Sequence, residues 1–469
     1  MRSLEVSPHE FRQLAERITH LTTEYLTTLD ARPTFPPTSG ARAEDLFRHP
    51  LPEQALRAGA LEALEDVIQN SRAQNGRFFG YVLGSGEPVA ATADLLASVL
   101  NQNVTAWRSG PAAVTIERTV VSWLAEAIAC PGFRGSLTGG GSPANLMGLA
   151  MAREAKMPSN ETGLTQQGTI YASEEIHMSI PKSIALLGIG RNNLRLIPTD
   201  TNFRLIPSEL DKSIRQDKAA GKTPIAVVAS AGTVNTGAID PFPEIAAIAR
   251  QHDLWLHVDG AYGALAAMAA PEKFAGLNLA DSISLDPHKW LYQPLDCGCL
   301  LYRDPNYARA TFSHSGDYAR VLNGDPIEGF AFFEESMELS RRFRALRLWL
   351  SLRYHGLQAF RSSIREDLAL AQRLARSIKE NPNLELSAPV ELSAVCFRYI
   401  AGRVPTEEAR NRQNAEILQR VVKRGRVYLS NATVHGKFCL RACIVNHRTT
   451  EADVDTVIPE VLAAAVEGL

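Results

Sequence analysis

The sequence predicts an α/β fold built on a mainly parallel β-sheet. Short runs rich in β-branched and apolar residues alternate with amphipathic helical stretches through the middle of the chain. The predicted strands are 168–173, 194–198, 225–230, 254–258, 282–285 and 297–302, and the clearest helices between them are 207–220 and 241–252. Repeated strand-helix-strand order is typical of a parallel sheet covered by helices. Functional side chains are then expected at the carboxyl ends of the strands.

Residues 1–87 are predicted to form an N-terminal helical segment. Its amphipathic patterns are interrupted by the proline-rich stretch RPTFPP at 32–37, which predicts a connector because proline cannot continue a helix. Such a layer has no core of its own, so we expect it to need another surface, either the main body or a partner subunit. Residues 88–346 are then predicted to be the large domain.

Residues 347–469 are predicted to form a small α+β domain. A long helical window starts after Ser340, breaks at Gly356 and continues past Leu370. Shorter predicted elements follow at 394–399, 415–424 and 438–444. The basic run RRFR at 341–344 is predicted to open the long helix, so we interpret it as structural rather than as a nucleic-acid site.

Composition excludes several classes of protein. The 469 residues are 45% hydrophobic and 21% charged, with 49 Lys and Arg against 51 Asp and Glu, a net charge of −2. This is an ordinary globular composition, and it argues against disorder and against a nucleic-acid partner. There is no run of 18 apolar residues and no signal-like N-terminus, so we expect a cytoplasmic protein without a membrane partner. The Cys297-Gly-Cys299 pair fits a buried strand better than a metal site, and no metal is predicted.

The most informative local motif is DPHKW at 286–290, directly after a predicted strand. A lysine crowded at a strand end, here Lys289 beside His288, suits a Schiff base with a carbonyl compound. An ordinary surface lysine is the alternative for this motif taken alone.

Two further strand ends carry groups that fit the same chemistry. Asp259 ends a predicted strand, where it suits a salt bridge to a protonated ring nitrogen, and Ala261 leaves room for a flat ring. Upstream, Gly141 and Ser142 belong to a glycine-rich turn before a helix, with Ser142 as the predicted N-cap. Free N–H groups at such a helix start can hold a phosphate. A dinucleotide loop is the alternative, but the turn is GGGS rather than GxGxxG. Phosphate cradle, carboxylate and lysine together specify pyridoxal 5′-phosphate (PLP).

The sequence resembles the group II PLP-dependent amino acid decarboxylases. The resemblance rests on TGGGSPANL (138–146), SEEIHMS (173–179), ASAGTVNTGAIDP (229–241), LHVDGAYGA (256–264) and SLDPHKWL (284–291). It is most similar to the aromatic L-amino acid decarboxylase branch. This resemblance implies the PLP-dependent transferase type I fold, like that of aspartate aminotransferase, and a homodimer with active sites at the subunit interface.

The resemblance also implies roles for individual residues. Lys289 would carry the Schiff base, Asp259 would pair with the ring nitrogen, and His177 would stack on the ring face opposite Ala261. The cofactor-binding set it implies is Gly141, Ser142, His177, Thr233, Asp259, Ala261, Asp286, His288 and Lys289. His288 would lie near the substrate and assist proton transfer. Two positions depart from the family: Val234 replaces a frequent second threonine, and Asp286 replaces a frequent asparagine near the phosphate.

A tyrosine 29 residues after the lysine bears on the reaction type. In this family a loop at that distance carries a tyrosine that protonates the substrate carbon after loss of CO2, whereas relatives with phenylalanine are aldehyde synthases. Tyr318 occupies this position and favours decarboxylation. A plain surface-loop tyrosine is the alternative for Tyr318 taken alone.

Substrate preference is predicted from a few positions only. Ser340 matches a position where plant relatives with serine take phenolic substrates, which favours tyrosine or 3,4-dihydroxyphenylalanine. Tyr81, Asn103 and Thr105 match the substrate wall, and the last two are more polar than in the aromatic branch. An aromatic amino acid is therefore the first prediction. The alternatives are an aliphatic, acidic or polar amino acid, or aldehyde synthase or aminotransferase activity.

Overall fold

A seven-stranded sheet forms the centre of the protein in the computed structural model, which describes residues 4–314 and 325–467. The strand order across the sheet is β1-β7-β6-β5-β4-β2-β3. The strands are β1 (Arg134–Thr138), β2 (Gly168–Ser173), β3 (Leu194–Ile197), β4 (Thr223–Ser230), β5 (Trp255–Asp259), β6 (Ser282–Leu285) and β7 (Gly298–Tyr302). The six predicted strands are confirmed to within two residues at each end. Strand β1 was not predicted, because its short sequence RGSLT contains a single large apolar residue.

Strands β3, β2, β4, β5 and β6 run parallel to one another, whereas β7 is antiparallel to both β6 and β1. The prediction of a mainly parallel sheet is thus confirmed. Alternate residues of β4 enter two different cores: Val227 and Ala229 face one side, and Ala226 and Val228 face the other. Burial on both faces explains why these strands are apolar throughout.

Helices cover both faces of this sheet. Helix α6 (Gly141–Lys156) lies against β4, β5, β6 and β7 on one face. The helices that pack on the opposite side are α5 (Pro111–Ala127), α8 (Pro207–Ala219), α9 (Phe242–His252) and α12 (Ala345–His355). Short helices link the strands elsewhere: α7 (Ser179–Leu186), α10 (Pro287–Trp290) and α11 (Pro305–Phe312).

A second, four-stranded antiparallel sheet has the order β10-β11-β9-β8. Its strands are β8 (Leu384–Leu386), β9 (Ala394–Tyr399), β10 (Ser430–Val434) and β11 (Lys437–Cys443). The helices around it are α13 (Leu357–Glu380), α14 (Glu407–Arg424), α15 (Glu451–Asp455) and α16 (Val457–Val466). Phe79, from the N-terminal part of the chain, is fully buried in this core. The predicted boundaries at 87/88 and 346/347 stay a prediction.

The N-terminal helices bury little of their own apolar surface. They are α1 (Pro8–Thr28), α2 (Gly40–Phe47) and α3 (Ala63–Gln69), followed by α4 (Pro88–Leu100). Leu21 is the one residue of α1 that is buried, whereas Phe11, Ile18 and Leu26 are exposed. In the described parts of the chain no helix is both long and apolar enough to cross a bilayer.

The basic run at 341–344 does not open a helix, which corrects the sequence-based prediction. Helix α12 begins only at Ala345, and Arg341 is 2% exposed. Its guanidinium forms an ion pair with buried Glu117 and donates to the carbonyl oxygens of Val104 and Leu137, each at 2.9 Å. The run is irregular because its backbone bonds outside a helix: the Arg341 N–H donates to Asn103 Oδ1 at 2.9 Å, and the Arg341 carbonyl oxygen accepts from the Val104 N–H at 2.8 Å. Its interpretation as structural agrees with these contacts.

The buried ion pair predicts a selective loss of stability. Arg341→Met should lower the free energy of unfolding by about 3–5 kcal/mol, because Glu117 stays buried without its partner. Arg342→Met is the matched control, since the Arg342 side chain is 48% exposed and its ion pairs are long. The control should change stability by less than about 1 kcal/mol. Urea unfolding midpoints of the two variants test this, and equal shifts would contradict the assignment.

Candidate active site

A cavity of about 290 Å³ opens where the carboxyl ends of the parallel strands meet the start of α6. Parallel strands end at the same edge of a sheet, so the loops after β4, β5 and β6 converge there. The lining residues are Val82, Gly139, Gly140, Gly141, Ser142, Pro143, Asn145, His177, Gly232, Val234, Asp259, Ala261, Tyr262, Asp286, His288, Lys289 and Leu295. Of the predicted site residues, eight therefore line one cavity: Gly141, Ser142, His177, Asp259, Ala261, Asp286, His288 and Lys289.

The first wall of the cavity is the start of α6. Gly140 has a φ of 132°, which favours glycine, and it is the N-cap of the helix. The prediction that Ser142 is the N-cap is wrong: the chain turns at Gly140, so Ser142 is the second helical residue and its side chain makes no capping bond. A Cβ atom on Gly141 would lie 2.6 Å from Ala261 Cβ and 3.0 Å from Asp286 Oδ2. The first N–H groups of a helix attract anions, and only glycine leaves them this close to the opposite wall.

Lys289 and Asp286 lie together on the opposite wall. The Lys289 ammonium is 2.9 Å from Asp286 Oδ2, which is also 3.6 Å from His288 Nε2. Asp286 is 3% exposed, and its Oδ1 has no hydrogen-bond partner among the described residues. A buried oxygen without a partner is costly, which fits a site that receives a polar group.

His288 is oriented by the backbone. Its Nδ1 lies 2.7 Å from the carbonyl oxygen and 3.3 Å from the backbone nitrogen of Cys297, so Nε2 is left toward Asp286. Burial lowers the pKa of His288, and the neighbouring Asp286 carboxylate opposes this effect. Cys297 itself is buried before β7, and burial raises its pKa to about 12. Within residues 4–314 and 325–467 no three His, Cys, Asp or Glu side chains are grouped to hold a metal ion.

Asp259 ends β5 and is held by two donors. Its Oδ1 accepts from the Ala261 N–H at 3.3 Å and from Ser284 Oγ at 3.2 Å. Ser284 is the residue paired with Asp259 across β5 and β6. The carboxylate is 7% exposed and lines the cavity, so it can meet a cation there at a fixed angle.

His177 lies in the turn between β2 and α7 and faces the same cavity. Its Nδ1 is 2.9 Å from Ser179 Oγ and accepts from the Ser179 N–H at 3.2 Å. Burial lowers the pKa of His177; Asp259 opposes this effect, and Lys289 adds to it. Its ring and the small side chain of Ala261 both line the cavity.

Two of the other predicted residues, Thr233 and Tyr81, do not line this cavity. The Thr233 hydroxyl lies 2.9 Å from Thr236 Oγ1 and accepts from the Ala238 N–H within its own turn, so its contact with a cofactor stays a prediction. Tyr81 lies 3.0 Å, oxygen to oxygen, from Tyr428 in a separate aromatic cluster. Tyr318 lies outside the described residues.

Asn103, Thr105 and Ser340 form a group of their own on the same chain. Asn103 Oδ1 accepts from the Arg341 N–H at 2.9 Å, so Ser340 lies beside it. Asn103 and Ser340 are exposed, and Thr105 is half-buried. The residues predicted to bind substrate are therefore divided between two places in a single chain.

Sequence reasoning missed Arg441 on β11. It is 6% exposed, and its Nη1 donates to the carbonyl oxygen of Val234, a cavity residue, at 2.6 Å. No carboxylate of the described residues lies within ion-pair distance of it. An arginine within the apolar run FCLRAC was the available signal, because a buried cation without an acidic partner is rare.

The cavity combines a helix N-terminus for an anion, a lysine, and a fixed carboxylate for a cation. A phosphate, an aldehyde and a protonated ring nitrogen are the matching groups, and PLP carries all three. Together with the sheet topology, the cavity defines a PLP-dependent enzyme of the type I, aspartate-aminotransferase-like fold.

Comparison with known proteins gives the particular family. The pyridoxal-dependent decarboxylase conserved domain matches residues 43–400. The chain is 33% identical to the aromatic-L-amino-acid decarboxylase of Bacillus atrophaeus, over 99% of this chain and 97% of that one. It is 31% identical to the 4-hydroxyphenylacetaldehyde synthase of Rhodiola rosea, over 93% and 91%. A solved Oryza sativa TDC structure with PLP and tryptamine matches with a TM-score of 0.92 at 27% identity, over 100% and 99% of the two chains.

This chain belongs to the pyridoxal-dependent decarboxylase family, in the aromatic amino acid branch of the group II enzymes. It is a PLP-dependent carboxy-lyase that acts on amino acids. Both the predicted family and the predicted fold are confirmed.

The short distance between Gly141 and Ala261 predicts that a larger residue at position 141 weakens cofactor binding. Gly141→Ala should weaken PLP binding by roughly tenfold to a hundredfold. The added Cβ atom would overpack the phosphate-binding turn, at a cost of about 1–3 kcal/mol. Gly59→Ala is the matched control, because a Cβ there meets nothing within 4 Å. Titration of the apoprotein with PLP, followed by cofactor absorbance, measures the difference. Unaltered binding in Gly141→Ala would remove this turn from the cofactor site.

Proposed function

We propose that the protein decarboxylates a phenolic aromatic L-amino acid, tyrosine or 3,4-dihydroxyphenylalanine, to the amine and CO2. The observation that carries this proposal is the convergence of Lys289, Asp259 and His177 on one cavity. The aromatic substrate class is supported by relatives whose names specify aromatic amino acids. The phenolic preference rests on Ser340.

The cofactor site follows from the donors on the cavity walls. The N–H groups at the start of α6, with Gly141 and Ser142, would hold the phosphate. Lys289 would bind the aldehyde carbon covalently, and Asp259 would pair with the ring nitrogen. When bound, PLP supplies an electron sink for the pair of electrons left on the substrate Cα after loss of CO2.

Asp259 would keep the ring nitrogen protonated. The hydrogen bonds from Ala261 and Ser284 hold this carboxylate in place, so it would face the ring nitrogen at a fixed position. His177 would cover one ring face and Ala261 the other, which excludes water from the reacting atoms. His288 would assist proton transfer near the substrate.

Asp286 would act on Lys289. The pair at 2.9 Å holds the lysine amine in a defined place while the substrate amine occupies its former bond. This arrangement also balances a negative charge that lies close to the phosphate cradle. We therefore propose that Asp286 orients Lys289 rather than binding phosphate.

Tyr318 would supply the proton that completes the amine product. The C–C bond to the carboxylate breaks, CO2 leaves, and the Tyr318 O–H protonates Cα. This proposal rests on the 29-residue spacing from Lys289 in the sequence. Protonation by Tyr318 would give the amine, whereas the name of the Rhodiola rosea relative specifies an aldehyde product.

A homodimer is part of the proposal. Asn103, Thr105 and Ser340 do not line the cavity of their own chain, and a second copy would bring such a group to it. The exposed apolar residues of α1 and α4 support the same idea, since an apolar layer of this kind is typical of an interface. A cytoplasmic location stays a prediction from the sequence.

A substrate panel tests the proposed reaction. The purified protein should be yellow and should release amine from tyrosine or 3,4-dihydroxyphenylalanine in preference to the other common amino acids and 5-hydroxytryptophan, scored by mass. Lys289→Ala should be colourless and reduce amine to background, whereas Lys273→Ala, at an exposed lysine, should behave like the parent. Amine from an aliphatic, acidic or polar amino acid would replace the aromatic substrate, and full activity in Lys289→Ala would refute the mechanism.

Tyr318→Phe should divert the reaction from amine to aldehyde. General acid catalysis contributes about 10²–10⁴-fold, so amine formation should fall by that factor. In air-saturated buffer, where dissolved O2 is the oxidant and water supplies the aldehyde oxygen, aldehyde, ammonia and hydrogen peroxide should rise. Tyr354→Phe is the control, at an exposed tyrosine on α12. Mass spectrometry of products, with peroxide measured in parallel, decides the question, and undiminished amine would remove Tyr318 from the reaction.

A further inference from the structure

A continuous line of buried polar side chains runs from the cavity into the protein beneath α6. It joins His177, Ser179, Asn145, His257, Ser282 and Trp255. From the cavity inward, the contacts are His177 Nδ1 to Ser179 Oγ at 2.9 Å, Ser179 Oγ to Asn145 Nδ2 at 2.9 Å, Asn145 Oδ1 to His257 Nε2 at 2.9 Å, His257 Nδ1 to Ser282 Oγ at 2.8 Å, and Ser282 Oγ to Trp255 Nε1 at 2.8 Å. All members beyond His177 are at most 3% exposed.

The fold brings these residues together for identifiable reasons. His257 and Asp259 are two apart on β5, so both side chains face α6. Ser282 is paired with His257 across β5 and β6. Gly148 of α6 lies over the His257 ring, where a Cβ would be 2.6 Å from the ring carbon Cε1. A polar line this deep in an apolar core is costly unless every member is bonded.

The direction of the hydrogen bonds follows from the inner end. The Trp255 indole N–H can only donate, so Ser282 Oγ accepts from it and its own hydrogen is free to bond His257 Nδ1. His257 then carries its hydrogen on Nε2 and donates to Asn145 Oδ1. The Asn145 amide donates to Ser179 Oγ, which in turn donates to His177 Nδ1.

The hydrogen bonds at His177, the cavity end of this line of side chains, require the same direction. The Ser179 backbone N–H also points at His177 Nδ1, at 3.2 Å, so that nitrogen is an acceptor. With the opposite direction, Ser179 would donate to Asn145 instead. The 2.9 Å contact between Ser179 Oγ and His177 Nδ1 would then contain no hydrogen, and two lone pairs would face each other. A single direction therefore satisfies all members.

We propose that Trp255, Ser282, His257, Asn145 and Ser179 form a one-way hydrogen-bond chain that holds His177 as the neutral tautomer with its hydrogen on Nε2. His257 and Asn145 are positioning residues in this scheme, because they act through Ser179. The role of His177 beside the cofactor rests on the proposed function, but the tautomer itself does not.

The chain has a chemical consequence at the cavity. With Nδ1 bonded to two donors, Nε2–H is the one group that His177 can offer to a molecule in the cavity, and it offers a donor rather than a cation. Charged groups near His177 are Asp259, Lys289, Asp286 and Lys182, with opposing effects on its pKa. Burial lowers the pKa of His257 to about 4, against the effect of Asp259, so this link stays neutral across the physiological range.

Asn145→Asp tests the direction of the chain. The substitution keeps the shape of the side chain, but a carboxylate only accepts, so the Ser179 hydroxyl should turn toward residue 145 and offer its lone pairs to His177. Ring ¹⁵N resonances of histidine-labelled full-length holoenzyme, sedimented for solid-state NMR, report the protonation of each nitrogen. The His177→Gln spectrum assigns the His177 signals.

The wild-type protein should show His177 protonated on Nε2 alone at pH 7. Asn145→Asp should raise the titration midpoint of His177 by about one pH unit or more, because Nδ1 loses the hydroxyl donor and gains a carboxylate nearby. Should that variant not fold, Ser179→Ala should also raise the midpoint, since one donor to Nδ1 is lost. His257→Gln is the conservative control: its amide can accept from Ser282 and donate to Asn145, so the wild-type tautomer should be kept.

Wild-type His177 protonated on Nδ1 at pH 7 would overturn the proposal, as would an unchanged titration midpoint of His177 in folded Asn145→Asp or Ser179→Ala. Loss of the tautomer in folded His257→Gln would also contradict it. Amine production by the same preparations is measured separately. Absence of decarboxylation with the expected tautomer would refute the proposed function and leave the chain intact.

Discussion

The close packing of α6 against the large sheet is the constraint on which the site depends. Three glycine positions make it possible: Gly141 beside Ala261, Gly148 over His257, and Gly298 against the backbone of Gly140, where a Cβ would be 2.4 Å from Gly140 Cα. Any side chain at these points would lift the helix from the sheet. This approach brings the helix N-terminus to the strand ends and also brings Asn145 into contact with His257. The anion cradle and the polar chain beneath it therefore share one structural cause.

Each buried carboxylate of the site has a partner at short distance. Asp259 and Asp286 are both buried near the point where an anion is expected, and an uncompensated pair of carboxylates would oppose phosphate binding. Lys289 lies 2.9 Å from Asp286, and two neutral donors hold Asp259. In the proposed assignment, Asp259 would serve the ring nitrogen and Asp286 the lysine. The net charge of −2 for the whole chain reports none of this.

The order of elements along the chain was largely predictable, because alternating apolar runs and helical periods are local properties. β6 and β9 match their predicted bounds, and the break at Gly356 separates α12 from α13 as expected. β1 escaped prediction because its strand character comes from pairing with β7 rather than from its own residues. The run at 341–344 was assigned to a helix for the opposite reason: its composition favours helix, but Glu117 and two carbonyl groups hold Arg341 in an irregular segment.

The sequence by itself determined the cofactor chemistry, since Lys289, Asp259 and the glycine-rich turn are each recognisable from their neighbours along the chain. Only the tertiary structure decided which other side chains lie around these residues. Asn145, His257 and Ser282 come from three different elements, and Arg441 of the second sheet donates to the carbonyl oxygen of Val234, a cavity residue. Hydrogen-bond direction and burial depend on contacts between residues far apart in sequence. Such contacts exist only once the sheet has paired and α6 has packed onto it.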